Sequence, residues 1–183
     1  MRRSLGISEP EPVELEISRM KRRHLKGVMA IEREVYPRPW SPSLFLSEMS
    51  ELQNRAYLVA RIGKDVVGYG GVICYGDEAH VTTIAVDPDH HRRKIGTRVM
   101  YELLRAAIEL GARAVSLEVR MSNWGAQRMY GRFGFRPVGV RKGYYQETSE
   151  DALVMWVDDV QGPGYKRTLE AIIAEAPPGV RPY

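Results

Sequence analysis

The run His80-Val81-Thr82-Thr83-Ile84-Ala85-Val86-Asp87-Pro88 begins a stretch, ending at Phe135, whose reading decides the fold. It reads as a β-branched strand from His80 to Val86, followed by the basic loop His90-His91-Arg92-Arg93-Lys94 and a glycine, Gly96. A helix over 96–110 follows, with Val99, Leu103, Leu104, Ala107 and Ile108 on one face, and Gly111 stops it. Ala114 to Val119 is the next strand, Asn123 caps a helix to about Phe133, and Gly134 ends it. A strand, a helix and a second strand in this order make a crossover unit, which fixes part of the sheet as parallel.

Working outward, the upstream runs 57–62 and 66–75 are β-branched and aromatic, separated by Gly63-Lys64-Asp65, and read as a hairpin. Further back, Ser41 and Pro42 start a helix through about Leu52. Apolar residues at 25, 28, 29, 31 and 35 stripe another helix over 21–36, which Pro37 and Pro39 terminate. Val13-Glu14-Leu15-Glu16-Ile17 alternates as a half-buried first strand. Residues 1–12, with Ser8-Glu9-Pro10-Glu11-Pro12, read as a mobile lead-in. Downstream, strands are expected around 137–141 and 153–157. A helix over 164–175 and a proline-rich tail follow within 161–183. The sum is a mixed α/β (α+β) domain over 13–160, mainly antiparallel in front with the crossover behind.

Length and composition agree with one soluble domain: 183 residues, 44% hydrophobic and 27% charged. No apolar run approaches the roughly 18 residues that cross a bilayer, and Met1-Arg2-Arg3 is followed by no apolar stretch of a secretory signal. A cytoplasmic location, no membrane partner and no direct nucleic-acid contact are the resulting expectations. The single cysteine, Cys74 in Val72-Ile73-Cys74-Tyr75, excludes an internal disulfide and reads as strand packing; no metal site is expected. A net charge of +4 suits an anionic partner, whether nucleic acid, a ribosome or a phosphate-bearing nucleotide cofactor.

The first N–H groups of a helix are unpaired and the helix dipole favours anions there, so a strand leading through a tight loop into a helix can hold phosphates. Residues 91–97 have that context, although a basic run of this kind also serves as a solvated face.

Together with Leu117-Glu118-Val119-Arg120-Met121-Ser122-Asn123, Met129-Tyr130-Gly131-Arg132-Phe133-Gly134-Phe135, Tyr144-Tyr145 and Glu150-Asp151-Ala152, these segments resemble the GNAT superfamily of N-acetyltransferases. Within it they are similar to the protein amino-terminal acetyltransferases, namely the bacterial ribosomal-protein-alanine (RimI-type) enzymes and their archaeal counterparts. The resemblance spans roughly residues 13–158. It implies a GNAT fold, a mostly antiparallel sheet splayed at the cofactor site and flanked by helices, with acetyl-CoA as co-substrate.

The resemblance also implies roles. Ile84, Ala85 and Val86 would lie beside the acetyl and pantetheine end, and Asn123 would touch the pantetheine arm. Arg92, Arg93, Lys94, Ile95, Gly96 and Thr97 would form the pyrophosphate loop. The superfamily pattern there is Gln or Arg, two residues, Gly, one residue, then Gly or Ala; this chain has His91, Lys94 and Gly96. Lysine in a left-handed conformation that glycine adopts freely costs on the order of 1 kcal/mol. Glu118 would be the general base, Tyr130 the general acid towards the CoA thiolate, and His80 an auxiliary base. Residue alternation already sets Ser116, Glu118 and Arg120 on one face of their strand, so Glu118 either pairs with Arg120, faces water or does chemistry. Tyr36, Pro37 and Trp40, between the first two helices, and Tyr144 with Tyr145, in a late loop, resemble the two walls that hold an acceptor peptide. The implied acceptor is a protein N-terminus, ribosomal protein S18 beginning at alanine. Acetylation of a small amine or a lysine side chain, or a non-catalytic acyl-CoA-binding or ribosome-binding module, are the competing readings.

Overall fold

A computed structural model describes residues 14–51 and 53–176 and the backbone of 179–180; the expected lead-in and most of the proline-rich tail lie outside the described residues. The chain order is β1 (Leu15–Arg19), α1 (Leu25–Val35), α2 (Pro42–Ser50), β2 (Arg55–Ile62), β3 (Asp65–Tyr75) and β4 (Glu78–Val86). It continues with α3 (Ile95–Glu109), β5 (Ala114–Arg120), α4 (Trp124–Arg132), β6 (Arg136–Tyr145), β7 (Glu150–Val157), α5 (Pro163–Ala174) and β8 (Gly179–Val180). Two short 3₁₀ turns, Arg22–His24 and Pro88–His90, precede α1 and the basic loop.

The strands form one sheet in the order β6-β7-β5-β4-β3-β2-β1-β8. β4 pairs with β5 in parallel and β1 with β8 in parallel; the remaining neighbours are antiparallel. Residue alternation along the strands serves two cores. In β2, Ala56, Leu58 and Ala60 join α3 and α5 on one face, while Tyr57 and Val59 join α1 and α2 on the other. Phe45 and Tyr69 meet edge to face in the second core, ring centroids 5.7 Å apart.

The feature that positions the site is the seam between β4 and β5. Their pairing covers Glu78 with Ala114, Ala79 with Val115 and His80 with Ser116, and stops there. β4 stays bonded to β3 up to Val86, and β5 to β7 up to Arg120, so the two strands diverge into a wedge. This is the splay that the resemblance implies. A bulge opposite Gly71 and Val72 leaves Thr82 outside the register, at the floor of that wedge.

Two expectations are corrected. The late loop holding Tyr144 and Tyr145 is strand: β6 runs to Tyr145 because it absorbs two register shifts, with Gly143 at φ +58° allowing the second. Part of the expected tail is also strand, since β8 continues the sheet beyond β1.

Candidate active site

The loop after β4 is built by local contacts. The Asp87 carboxylate accepts from the Asp89 N–H at 3.0 Å, and His91 Nε2 lies 3.0 Å from the Val86 carbonyl oxygen, folding the turn back on the strand. Arg92 and Lys94 then take positive φ, 60° and 59°, while Arg93 between them does not. Alternation of this kind turns successive N–H groups into one concavity. Lys94 is the N-cap of α3 and makes no side-chain cap bond, so the helix's first N–H groups stay open for an anion. Lys94 thus keeps the backbone shape of the missing glycine. Its ammonium points to α5, donating to the Glu175 carbonyl at 2.6 Å. Arg92 and Arg93 stand exposed on the loop, and Ile95 and Thr97 are buried. A Cβ on Gly96 would lie 3.5 Å from Met129 Sδ, ordinary contact. An open helix N-terminus beside two diverging strands fits a phosphate-bearing, elongated group such as acetyl-CoA.

Across the wedge, Asn123 caps α4, its side-chain oxygen accepting from the Ala126 N–H at 3.1 Å, which leaves its amide N–H₂ as a donor. Gln127, which sequence reading passed over, clamps the same turn by donating to the Arg120 and Met121 carbonyls at 2.9 and 3.0 Å. Ala85 is buried towards α1, while Ile84 and Val86 pack against the core on the α3 side.

Glu118 sits where the strands part. Its Oε2 lies 3.0 Å from His80 Nε2 and its Oε1 3.2 Å from Arg141 Nε; its side chain is 8% exposed. The hydrogen bond from His80 holds the carboxyl below the usual carboxylate range against the opposing effect of burial, helped by the charges of His80 and Arg141. Glu118 is therefore ionised at neutral pH. His80 Nδ1 lies 3.0 Å from Ser116 Oγ, whose hydroxyl is also 3.4 Å from the Ala79 carbonyl oxygen. Ser116, His80 and Glu118 thus form a chain at the last bonded pair of the seam. Arg120, one alternative partner for Glu118, goes elsewhere: its guanidinium reaches Glu147 at 2.6 Å and Glu150 at 3.2 Å and lies over the Tyr145 ring, 3.9 Å from its centroid.

Tyr130 is buried in α4, 6.1 Å from Phe135 between ring centroids. Burial pushes its phenol pKa up, with Tyr36 and Tyr145 near enough to add to the rise. The phenol keeps its proton and is available as a donor.

A cavity of about 290 Å³ brings His80 and Glu118 together with Tyr36, Trp40, Tyr144 and Tyr145. Pro37 stands exposed beside it and is not among its walls, and the cofactor-side residues lie outside it as well. Larger hollows occur between α3 and α5 and beside β1, but these chemistry-bearing side chains converge on the smaller one. The Tyr36 hydroxyl donates to the Ile84 carbonyl at 2.8 Å, tying one aromatic wall to β4. Tyr144 and Tyr145 meet edge to face, 5.1 Å between centroids.

Glu32 is a site residue that sequence reading missed. It is buried in α1, its Oε1 accepting the Trp40 N–H at 2.8 Å and its Oε2 the Tyr69 hydroxyl. Burial raises its carboxyl pKa, opposed by the bond from Trp40. The available signal was its position four residues after Val28, a carboxylate on the apolar stripe. Thr82 and Tyr57 form a second hidden contact, 3.0 Å apart, with the Tyr57 hydroxyl donating to Glu48 at 2.9 Å. Cys74 is buried and packs as expected. Among the described residues no group of three or more His, Cys, Asp or Glu could hold a metal, and no helix is long and apolar enough to cross a membrane.

Comparison with known proteins agrees with this geometry. The Escherichia coli (strain K12) [ribosomal protein bS18]-alanine N-acetyltransferase is 31% identical over 141 residues, 76% of this chain and 94% of that protein. The Mycobacterium tuberculosis N-alpha-acetyltransferase RimI is 40% identical over 121 residues, 64% of this chain and 74% of that protein. The crystal structure of Ard1 from Thermoplasma volcanium superposes with a TM-score of 0.73 at 26% identity, covering 80% of this chain and 98% of that one. Residues 25–135, from the start of α1 to the end of the α4 turn, match the acetyltransferase (GNAT) family model, and it is to this family, with acetyl-CoA as co-substrate, that the chain belongs.

Proposed function

We propose that the enzyme transfers an acetyl group from acetyl-CoA to the α-amino group of a protein N-terminus, with the N-terminal alanine of ribosomal protein S18 as acceptor. The observation that carries this reading is an ionised, nearly buried Glu118 facing a cavity walled by Tyr36 and Trp40 on one side and Tyr144 and Tyr145 on the other. Such a cavity suits a peptide end entering between two aromatic walls. The Escherichia coli relative, named for acetylation of that same alanine, supports the choice of acceptor.

The acid-base demands match. An α-amine has a reference pKa of about 7.7 to 8.0 against about 10.4 for lysine, so its free-amine fraction near neutral pH is a few hundredfold larger. A weak carboxylate base, as Glu118 is with its lowered pKa, then suffices. Glu118 takes the proton from the acceptor ammonium, directly or through a water, and His80 holds the carboxylate aimed. The Tyr130 hydroxyl supplies a proton to the departing thiolate. Acetyl-CoA contributes the activated thioester. Residues 92–97 bind its phosphates through main-chain N–H groups, and the freed edge of β4 orients the acyl end for direct attack.

The test is a CoA-release assay on an Ala-starting S18 peptide, its N-blocked form carrying an internal lysine, and spermidine. Turnover is expected only with the free N-terminus. Glu118→Gln should lower kcat/KM by about 10²-fold or more while CoA binding persists. Turnover on the blocked peptide or spermidine alone would overturn the acceptor assignment.

A further inference from the structure

We infer that helix α5 holds the acetyl-CoA loop in its anion-binding shape through Lys94 and Glu175, which makes Lys94 a positioning residue for acetyl-CoA. The inference rests on the reading that residues 92–97 cradle the cofactor phosphates.

Lys94 adopts φ 59° at the point where the family places glycine, a conformation that L-residues avoid. Something outside the loop must favour it. The Lys94 ammonium donates to the main-chain carbonyl of Glu175 at 2.6 Å, just past the last turn of α5. There a cation meets both a helix-end carbonyl and the negative end of the helix dipole. The Glu175 carboxylate lies 3.9 Å from the same ammonium and accepts from Arg132, in the last turn of α4, at 2.7 Å. Glu175 therefore joins the loop to α4. Helix α5 is itself fixed, since Leu169 and Ile172 belong to the main core and the Tyr165 hydroxyl donates to the Phe133 carbonyl at 2.9 Å. The loop is thus tethered to a rigid support that lies beyond residues 25–135, the part matched by the family model.

These contacts are exposed, the Lys94 and Glu175 side chains 46% and 59%, so each adds little to global stability. Their effect is local to the loop. A glycine at 94 would reach the same shape without a tether, whereas alanine would have neither the tether nor the freedom.

The measurement is the Kd of CoA by calorimetry, with hydrogen exchange at the 92–97 amides, for wild type, Lys94→Ala, Lys94→Gly and Glu175→Ala. Lys94→Ala should weaken CoA about five- to tenfold and speed exchange in the loop. Lys94→Gly should return the Kd to within about twofold of wild type. In turnover the change should appear in KM for acetyl-CoA rather than in kcat. The inference falls if Lys94→Ala binds CoA as wild type does. It also falls if Lys94→Gly is as weak as Lys94→Ala, which would make the ammonium a direct phosphate contact. Tighter binding by Glu175→Ala would overturn it as well, showing that the carboxylate competes with the phosphates. A wild type that fails to bind CoA would remove the cofactor-loop reading itself.

Discussion

A glutamate with a side chain only 8% exposed would ordinarily hold its proton more firmly than one in water, yet the His80 hydrogen bond and the Arg141 guanidinium reverse that for Glu118. The consequence is a pH profile set by the acceptor. In wild type, kcat/KM should rise with unit slope as the acceptor ammonium deprotonates towards about pH 8, with the carboxylate adding its own limb only below the usual carboxylate range. His80→Ala removes the largest cause of the lowered pKa and leaves burial, which raises it, opposed by the Arg141 charge alone. The carboxylate limb should then move to higher pH, giving a second break and a steeper fall on the acid side. A pH profile of kcat/KM for both proteins checks this; an unmoved limb means that His80 does not set the charge. Glu118 was legible from strand alternation and the family position. Its partners were not, because the His80–Ser116 register and the approach of Arg141 from β6 depend on strand order, which no local pattern carries.

Between α1 and α2 the cavity wall proposed to meet the acceptor is shaped by an anchor. Glu32 takes the Trp40 N–H on one oxygen and the Tyr69 hydroxyl on the other, so the 36–40 turn is fastened to the second core. Glu32→Ala leaves both donors without an acceptor in a buried setting, at about 1 to 3 kcal/mol for each. Thermal unfolding should shift down by several degrees, and KM for the acceptor peptide should rise more than KM for acetyl-CoA. Equal changes in the two would show that the anchor serves the whole domain rather than this wall. Helices and central strands could be read from periodicity alone, as with the stripe that becomes α1 and the hairpin that becomes β2 and β3. Edges were harder: the sequence pattern marks a strand only over 137–141, and the sheet shows β6 bending on through Gly143 to Tyr145.

On the scale of the molecule, β4 and β5 are joined by three residue pairs, with β6, β7 and β5 on one side of the seam and the remaining strands on the other. A ligand seated in the wedge contacts both parts and binds the folded chain alone. CoA at about 100 times its Kd should therefore stabilise the fold by about 2.7 kcal/mol, a rise in Tm of roughly 5 to 10 °C for a domain of this size. Differential scanning fluorimetry with and without CoA checks it; no shift at saturation would contradict binding in the wedge. The overall architecture followed from the order of elements, whereas the meeting of Lys94 with Glu175, 81 residues apart, did not.

The irregular path of β6 reaches further than the cavity wall it forms. As the last strand of the sheet it has, among the described residues, one row of main-chain groups with no neighbouring strand, and Val138 and Val140 are exposed on it. An even, apolar strand in that place would invite a strand from another molecule to add to it. Two register shifts, a proline that cannot donate, and Arg136, Arg141 and Lys142 make it a poor template. The same bends that bring Tyr144 and Tyr145 to the cavity interrupt the edge, so a straighter β6 would reshape that wall and offer a better template for an added strand at once.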